Sequence, residues 1–556
     1  MNSEKEGSCL GLEGDAAAFF EGLPLQKGAM QPRQYQLTAA RNILEKGNAL
    51  VVMPTALGKT FVALLVMAGV LKRNPCAKLL FLAPTKPLAA QQAQRIKATL
   101  ELEGSVELLT GEMPAEERKA VYEKAQVVCA TPQCVNNDVR KRGLDLFQYA
   151  FIAFDEVHRM AGDYAYVPIA EKARQNPAIL LLGLTASPSS ERARISGMRE
   201  LLAVKWLEVK DESDEEVAGF VQDVEVDTVF VELPEEMKEL SRVLRGLLSE
   251  SISNLKGLGY EAVMKEPNKR QLLLLQSEMR RRIPSSYRAL SELARAMNLM
   301  HGLDLLESQG ISALLSFLDG LLTRKNPSKA VVRLSTDPRI AVLRGRCHSL
   351  IEKQEIEHPK IAVLKQIVGE AASTGKTLIV FVHFRDSAKK LLKELNSLPG
   401  VDARLLVGRS GDDGMKQKQQ IGLLDSFRAK EFNVLVATSV AEEGLDVVSV
   451  DEVIFFEAVP SEVRLIQRRG RAGRIKAGKV TGIVAKGTKD EAFYWVSKRK
   501  EGKMKRLLKK MKDEIGVAAA QLESVVTAVA PASRGDAPVE KPLGKKEGQL
   551  KMDEFF

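Results

Sequence analysis

Ala49-Leu50-Val51-Val52-Met53-Pro54-Thr55-Ala56-Leu57-Gly58-Lys59-Thr60, running on into Phe61-Val62-Ala63-Leu64-Leu65, sets a glycine-lysine-threonine loop between an apolar run and an apolar helical stretch. Strand, loop and helix in that order make a phosphate cradle, because backbone N–H groups and the helix N-terminus converge on an anion. Thr55, Gly58 and Lys59 are expected to hold a triphosphate, Lys59 pairing with its β and γ phosphates and Thr60 ligating magnesium. A bare Gly-Lys-Thr is common; the flanking elements make ATP with Mg2+ the expected ligand.

Four further apolar runs follow within residues 30–210: Lys78–Leu82, Val127–Cys129, Phe151–Phe154 and Ile179–Leu184. Apolar runs separated by helical patterns predict a parallel sheet covered on both faces. The same grammar returns in residues 360–490 with Leu378–Val382, Val434–Val436, Val453–Phe456 and Val480–Val484. The fold class is therefore α/β, with two parallel-sheet domains. Between them, residues 225–355 have Leu-rich helical spacing and basic clusters such as Arg280-Arg281-Arg282, which predict an all-helical insert with a basic surface. The expected divisions are 1–25 (flexible), 26–224 (first α/β domain), 225–355 (insert), 356–515 (second α/β domain), 516–548 (flexible linker) and 549–556 (a terminal peptide).

Asp155-Glu156-Val157-His158 ends the Phe151–Phe154 run. Adjacent carboxylates at a strand end are costly unless water or a cation holds them. Asp155 is expected to be the magnesium carboxylate and Glu156 the base that orients the attacking water. An Asp-Glu pair is more commonly a solvated strand end, but the upstream phosphate loop reverses that preference. About 400 residues after the loop comes Gln467-Arg468-Arg469-Gly470-Arg471-Ala472-Gly473-Arg474. Arg471 and Arg474 lie three apart, on one helical face, where two arginines stabilise charge on a transferring phosphoryl group.

Composition bounds the rest. The chain has 556 residues, with 82 Lys+Arg against 72 Asp+Glu, a net charge of +10 that favours a polyanionic partner. Its five cysteines are scattered and odd in number, against a disulfide framework or zinc module and in favour of a reducing, intracellular setting. No 18-residue apolar run appears, so a membrane partner is not expected. His158 has no neighbouring histidine and reads as a coupling residue rather than a metal ligand. Trp495 reads as helix packing more readily than as a base-stacking platform.

These motifs, together with Arg33-Gln34-Tyr35-Gln36, Pro84-Thr85-Lys86-Pro87-Leu88, Thr185-Ala186-Ser187-Pro188 and Ala437-Thr438-Ser439-Val440-Ala441-Glu442-Glu443-Gly444-Leu445-Asp446, resemble in order those of superfamily-2 helicases. Within that superfamily the chain is similar to the archaeal Hef and eukaryotic FANCM branch over about residues 30–510. The resemblance implies RecA-like domains and a thumb-like insert. It implies adenine recognition by Gln36 with Arg33, a nucleic-acid backbone facing Thr85, Lys86, Thr438 and Ser439, and a ribose at Asp446. It assigns domain coupling to His158, Thr185 and Ser187, and places Gln467 with Arg471 and Arg474 in the catalytic set. The implied activity is ATP-dependent unwinding or translocation, 3′-to-5′, on forked or branched chromosomal DNA.

Two departures stand out. Ala56 occupies a position where the family usually has glycine. Hef proteins also continue into a nuclease and paired helix-hairpin-helix motifs, for which the residues after 516 leave no room; a motor without the nuclease is expected, with a nuclease joining in trans. The final Gln549-Leu550-Lys551-Met552-Asp553-Glu554-Phe555-Phe556 resembles a sliding-clamp (PCNA) peptide, with Met552, Phe555 and Phe556 as a hydrophobic plug and Gln549 in a polar pocket. Two rival readings are an RNA-directed ATPase, since RNA sensors share these motifs, and a non-catalytic clamp-bound scaffold, which would need none of Lys59, Asp155, Glu156, Arg471 or Arg474.

Overall fold

The computed structural model describes residues 18–19, 21–54, 57–186, 189, 191–210, 214–218, 225–261, 267–281, 287–353, 357–408, 414–438, 450–458 and 478–528. Thr55, Ser187, Ser439, Asp446, Gln467, Arg471, Arg474 and the terminal peptide lie outside them, as does Ala56. The chain divides into two compact units, residues 1–509 and 510–556.

Seven strands form the first sheet: β1 Ala49–Val52, β2 Lys78–Leu82, β3 Val106–Leu109, β4 Val127–Ala130, β5 Tyr149–Phe154, β6 Leu180–Thr185 and β7 Trp206–Val209. All pair parallel, in the order β3-β4-β2-β5-β6-β1-β7. β1 is buried along its whole length between β6 and β7, which is why its sequence is apolar at every position rather than alternating. The second sheet holds β8 Glu225–Val231, β9 Leu378–Phe381, β10 Ala403–Leu406, β11 Val434–Ala437, β12 Glu452–Phe455 and β13 Lys479–Ala485, again parallel, in the order β10-β11-β9-β12-β13-β8.

Three expectations need correction. Residues 225–355 are not all helical: β8 opens the segment and pairs with β13 from Glu225↔Lys479 to Val231↔Ala485. Its Glu225-Val226-Asp227-Thr228-Val229 sequence alternates as a strand does, and as the sheet's edge it is exposed at its first two positions and half-buried over the next four. Residues 1–25 are not uniformly a loose leader, since Leu23 is buried and Leu25 bridges Leu100, with Glu101 N–H donating to Pro24 O at 2.9 Å. The expected linker from 516 begins as helix: Lys489–Ala528 is one continuous helix, and its Ala518-Ala519-Ala520-Gln521-Leu522-Glu523 run is rich in strong helix formers.

The insert's helices after β8 (Glu235–Gly257, Tyr287–Gln309, Ile311–Leu322, Lys329–Ser335 and Pro338–Glu352) pack Leu240, Leu244, Leu303 and Leu314 into one core with Val380, Ile454 and Ile483 of the second sheet. Insert and second α/β domain are thus built on a shared hydrophobic core.

Candidate active site

Gly58 ends the loop after β1 in the left-handed region (φ 75°, ψ 44°) and caps the helix Lys59–Arg73. Glycine is required twice over: the conformation disfavours a side chain, and a Cβ there would lie 2.6 Å from the Gln36 amide nitrogen. Lys59 follows with 7% exposure, its Nζ donating to the Met53 carbonyl at 2.9 Å. The lysine is therefore held back across its own loop, at the first turn of the helix, whose N-terminal amides are suited to an anion. Thr60 is half-buried in the same turn.

Gln36 lies against this loop. Its Nε2 donates to Leu57 O at 3.1 Å and its Oε1 accepts from Arg33 N at 3.0 Å. Tyr35 hydroxyl donates to the same Leu57 carbonyl at 2.9 Å and accepts from Arg33 Nη1 at 3.2 Å. Arg33, Tyr35 and Gln36 thus report on the loop's position through one carbonyl. Tyr35 carried no role in the sequence reading; its place between Arg33 and Gln36 was the available signal.

Asp155 and Glu156 close β5, which only β6 separates from β1 in the sheet order. Asp155 N–H continues the ladder to Leu82 O at 2.9 Å, and the buried Tyr166 hydroxyl donates to Asp155 O at 2.6 Å. Tyr166, unassigned from sequence, fixes the backbone from which the carboxylate projects. Glu156 takes a left-handed φ of 49°, an uncommon conformation for a non-glycine residue. His158 Nδ1 lies 3.2 Å from Glu156 Oε2 and 3.2 Å from Thr185 Oγ1, so one ring nitrogen joins the candidate base to the end of β6.

Burial, then the charge of Glu156, pushes the Asp155 carboxyl well above its ordinary range. Burial acts the same way on Glu156 but is outweighed by its close contact with His158 and the charges of His158, Lys59 and Arg159, which hold it low. Two adjacent buried carboxylates disfavour each other's charge, a cost that a cation beside Asp155 relieves. The Thr60 hydroxyl and Asp155 carboxylate are hard oxygen donors, the kind magnesium prefers, and they fit it.

On the expected nucleic-acid face, Thr85 caps the helix Lys86–Thr99, and its buried hydroxyl has no hydrogen-bond partner among the described residues. Lys86 forms an ion pair with the exposed Glu112. Thr438 directly follows β11 at 5% exposure, its N–H donating to Leu406 O at 3.0 Å. Both threonines stand at the carboxyl ends of parallel strands, where open sheets place ligands. Trp495 is 47% exposed and stacks on Phe230 of β8 at 6.4 Å, a packing role. Among the described residues no group of histidine, cysteine and acidic side chains has metal-binding geometry, and no helix is long and apolar enough to cross a membrane.

The DEAD/DEAH box helicase family matches residues 33–195 and the helicase conserved C-terminal domain matches residues 359–476. A family described as the helical bundle of an ATP-dependent RNA helicase matches residues 236–343. A Methanocaldococcus jannaschii protein whose name carries the words ATP-dependent RNA helicase is 36% identical over 499 residues, covering 89% of this chain and 63% of that protein. The ATP-dependent DNA helicase MPH1 of Coccidioides immitis is 30% identical over 519 residues, 86% of this chain and 46% of that protein. The chain thus spans less than two thirds of the length of either relative. The crystal structure of the Pyrococcus furiosus Hef helicase domain superposes with a TM-score of 0.66 at 37% identity, over 85% of this chain and 99% of that one. The two parallel sheets, the helical bundle between them and these matches agree: the chain belongs to the superfamily-2 helicases of the Hef/FANCM branch.

Proposed function

We propose that this chain couples ATP hydrolysis to 3′-to-5′ movement on forked or branched DNA, and that Gln549–Phe556 tethers it to the sliding clamp. The observation that carries the reading is that Lys59, Asp155 and Glu156 follow β1 and β5 at the carboxyl ends of one sheet, with only β6 between those strands and His158 bridging Glu156 to Thr185 at the end of β6. In this reading Lys59 binds the β and γ phosphates, Thr60 and Asp155 hold Mg2+, which supplies charge neutralisation at the phosphates, and Glu156 orients water. Arg471 and Arg474, with Gln467, approach from the second domain to stabilise the transferring charge, and Asp446 takes the ribose. Arg33 and Gln36 receive the base; Gln36 must then exchange its Leu57 partner, a direct route from nucleotide binding to the loop. Thr85, Lys86, Thr438 and Ser439 take the phosphate backbone, Lys86 leaving Glu112 to do so, and Ser187 joins Thr185 in coupling. A nuclease acting in trans completes the set of proposed partners.

DNA as substrate is supported by the name of the Coccidioides relative and by the clamp-like tail. RNA is the second reading, favoured by the names of the Methanocaldococcus relative and of the helical-bundle family. Steady-state ATP hydrolysis without nucleic acid and with single-stranded DNA, a model fork or matching RNA decides between them. Fork stimulation well above RNA stimulation is expected; the reverse order would move the substrate to RNA. Lys59→Ala is expected to abolish stimulated turnover, and undiminished hydrolysis in that variant would remove the active-site assignment.

A further inference from the structure

Lys360 is fully buried at the start of the helix Pro359–Ser373. Its Nζ donates to the Phe456 carbonyl at 3.0 Å and forms an ion pair with Asp490, the second residue of the helix Lys489–Ala528. Asp490 Oδ1 accepts from Ala458 N at 3.1 Å. Glu457, between these two anchors, accepts the His383 N–H at 2.8 Å. Three consecutive residues beyond β12 are therefore tied down by two helices and the turn after β9. From Ala458 the chain runs on to Gln467, Arg471 and Arg474.

The same cluster reaches the insert. His358, beside Lys360, donates from Nε2 to the Glu307 carbonyl at 3.0 Å, while Lys489, beside Asp490, pairs with Asp304. Asp304 and Glu307 share the insert helix Tyr287–Gln309. A buried ion pair is a weak source of net stability, because desolvation offsets its attraction, so its geometric specificity is the more informative property.

We propose that Lys360 and Asp490 are positioning residues for ATP hydrolysis: their pair fixes the end of β12, from which the arginine motif departs, and ties it to the helical insert. The proposal rests on the ATP-driven reading above. It links the insert to the start of the arginine-bearing segment through one short run of contacts, Asp304–Lys489 and Glu307–His358, then Lys360–Asp490, then Phe456 and Ala458.

The test is fork-stimulated ATP turnover by the full chain, its Asp490→Asn variant and the double variant Lys360→Met with Asp490→Asn. The double removes both charges while leaving an acceptor for Ala458 N–H, so it keeps the fold without an unpaired buried charge. Both are expected to lose about 10- to 100-fold in kcat, with KM for ATP and fork affinity within about twofold of the parent, as misplaced catalytic groups do. A folded double variant with unchanged kcat, or a loss carried by KM or fork affinity, would overturn the proposal. Lys489→Ala, at the half-exposed end of the same run, guards against variants that do not fold. It is expected to lower fork-stimulated turnover about threefold or more while leaving the unstimulated rate intact, and unchanged stimulation there would overturn the tie to the insert. Parent protein with no nucleic-acid-stimulated turnover would instead overturn the reading on which the proposal rests.

Discussion

Gly58 shows how much one residue carries in this site. Its left-handed φ of 75° and the 2.6 Å approach of Gln36 Nε2 leave no room for a β carbon. Gly58→Ala is expected to destabilise the protein by roughly 1–2 kcal/mol and to raise KM for ATP by displacing Gln36 from Leu57; denaturant unfolding and nucleotide titration check the two effects separately. Glu156 makes a different demand. Glu156→Gln keeps shape and volume but removes the charge of a carboxylate whose pKa His158 holds low. Its hydrolysis rate is expected to fall by about 10²–10⁴-fold with ATP and fork binding retained. Hydrolysis near the parent rate would take Glu156 out of water activation. Lys59, Asp155 and Glu156 were legible as candidates because each follows a strand-like run in a motif with mechanical meaning. Tyr35 and Tyr166 were not, since each acts on a backbone carbonyl chosen only by folding.

At the scale of elements, the four strands that the apolar runs did not reveal are β3, β7, β8 and β10, and these are the four sheet edges. Central strands such as β1, β4, β9 and β11 are buried at every position, so they read as continuous apolar runs. Edge strands bury less: three of the four positions of β3 are half-buried, and the first two of β8 are exposed. Their signal dilutes into ordinary mixed sequence. The helix Pro359–Ser373 illustrates capping by a titratable group. His358 Nδ1 accepts from Lys360 N and its Nε2 donates to Glu307 O, which fixes the neutral ring. Burial, then the nearby Lys360 charge, with a smaller push from Lys390, moves its pKa down to about 3 from 6.5, against the opposing Glu307 bond. The unfolded chain therefore binds a proton that the folded one refuses. Stability from this site is complete above about pH 6.5 and drains as pH falls toward 3, by roughly 3–5 kcal/mol in all. Urea midpoints between pH 7 and 4 are expected to fall more steeply for the parent than for His358→Asn, which retains a capping side chain but does not titrate. Parallel slopes would show that His358 charges without cost.

For the whole molecule, the net charge of +10 favours a polyanionic partner. Fork affinity is expected to fall linearly in log–log terms with added salt, the slope counting released counterions. Deleting Gln549–Phe556 is expected to abolish binding to purified sliding clamp while leaving fork-stimulated turnover within about twofold, because a tether acts through effective concentration and not through the catalytic site. Clamp binding that survives the deletion would place the tether elsewhere. The insert and second sheet share one core. Changes that loosen the insert's inner leucines therefore belong to the same cooperative unit as β9 and β12, and are not confined to an appended module.

The sequence by itself determined the grammar and marked the candidate site: a glycine-lysine-threonine loop between β1 and its helix, a carboxylate pair at the end of β5, an arginine motif some 400 residues later, and parallel sheets written as buried runs. Those are local properties, in which neighbouring residues carry both the motif and the burial that shapes it. Only the tertiary structure decided which distant groups meet: Gln36 on Leu57, His158 between Glu156 and Thr185, β8 beside β13, and Lys360 on Asp490 across 130 residues. Such pairings depend on strand order and on which core each helix joins, and apolar periodicity records that a face is buried without recording what buries it.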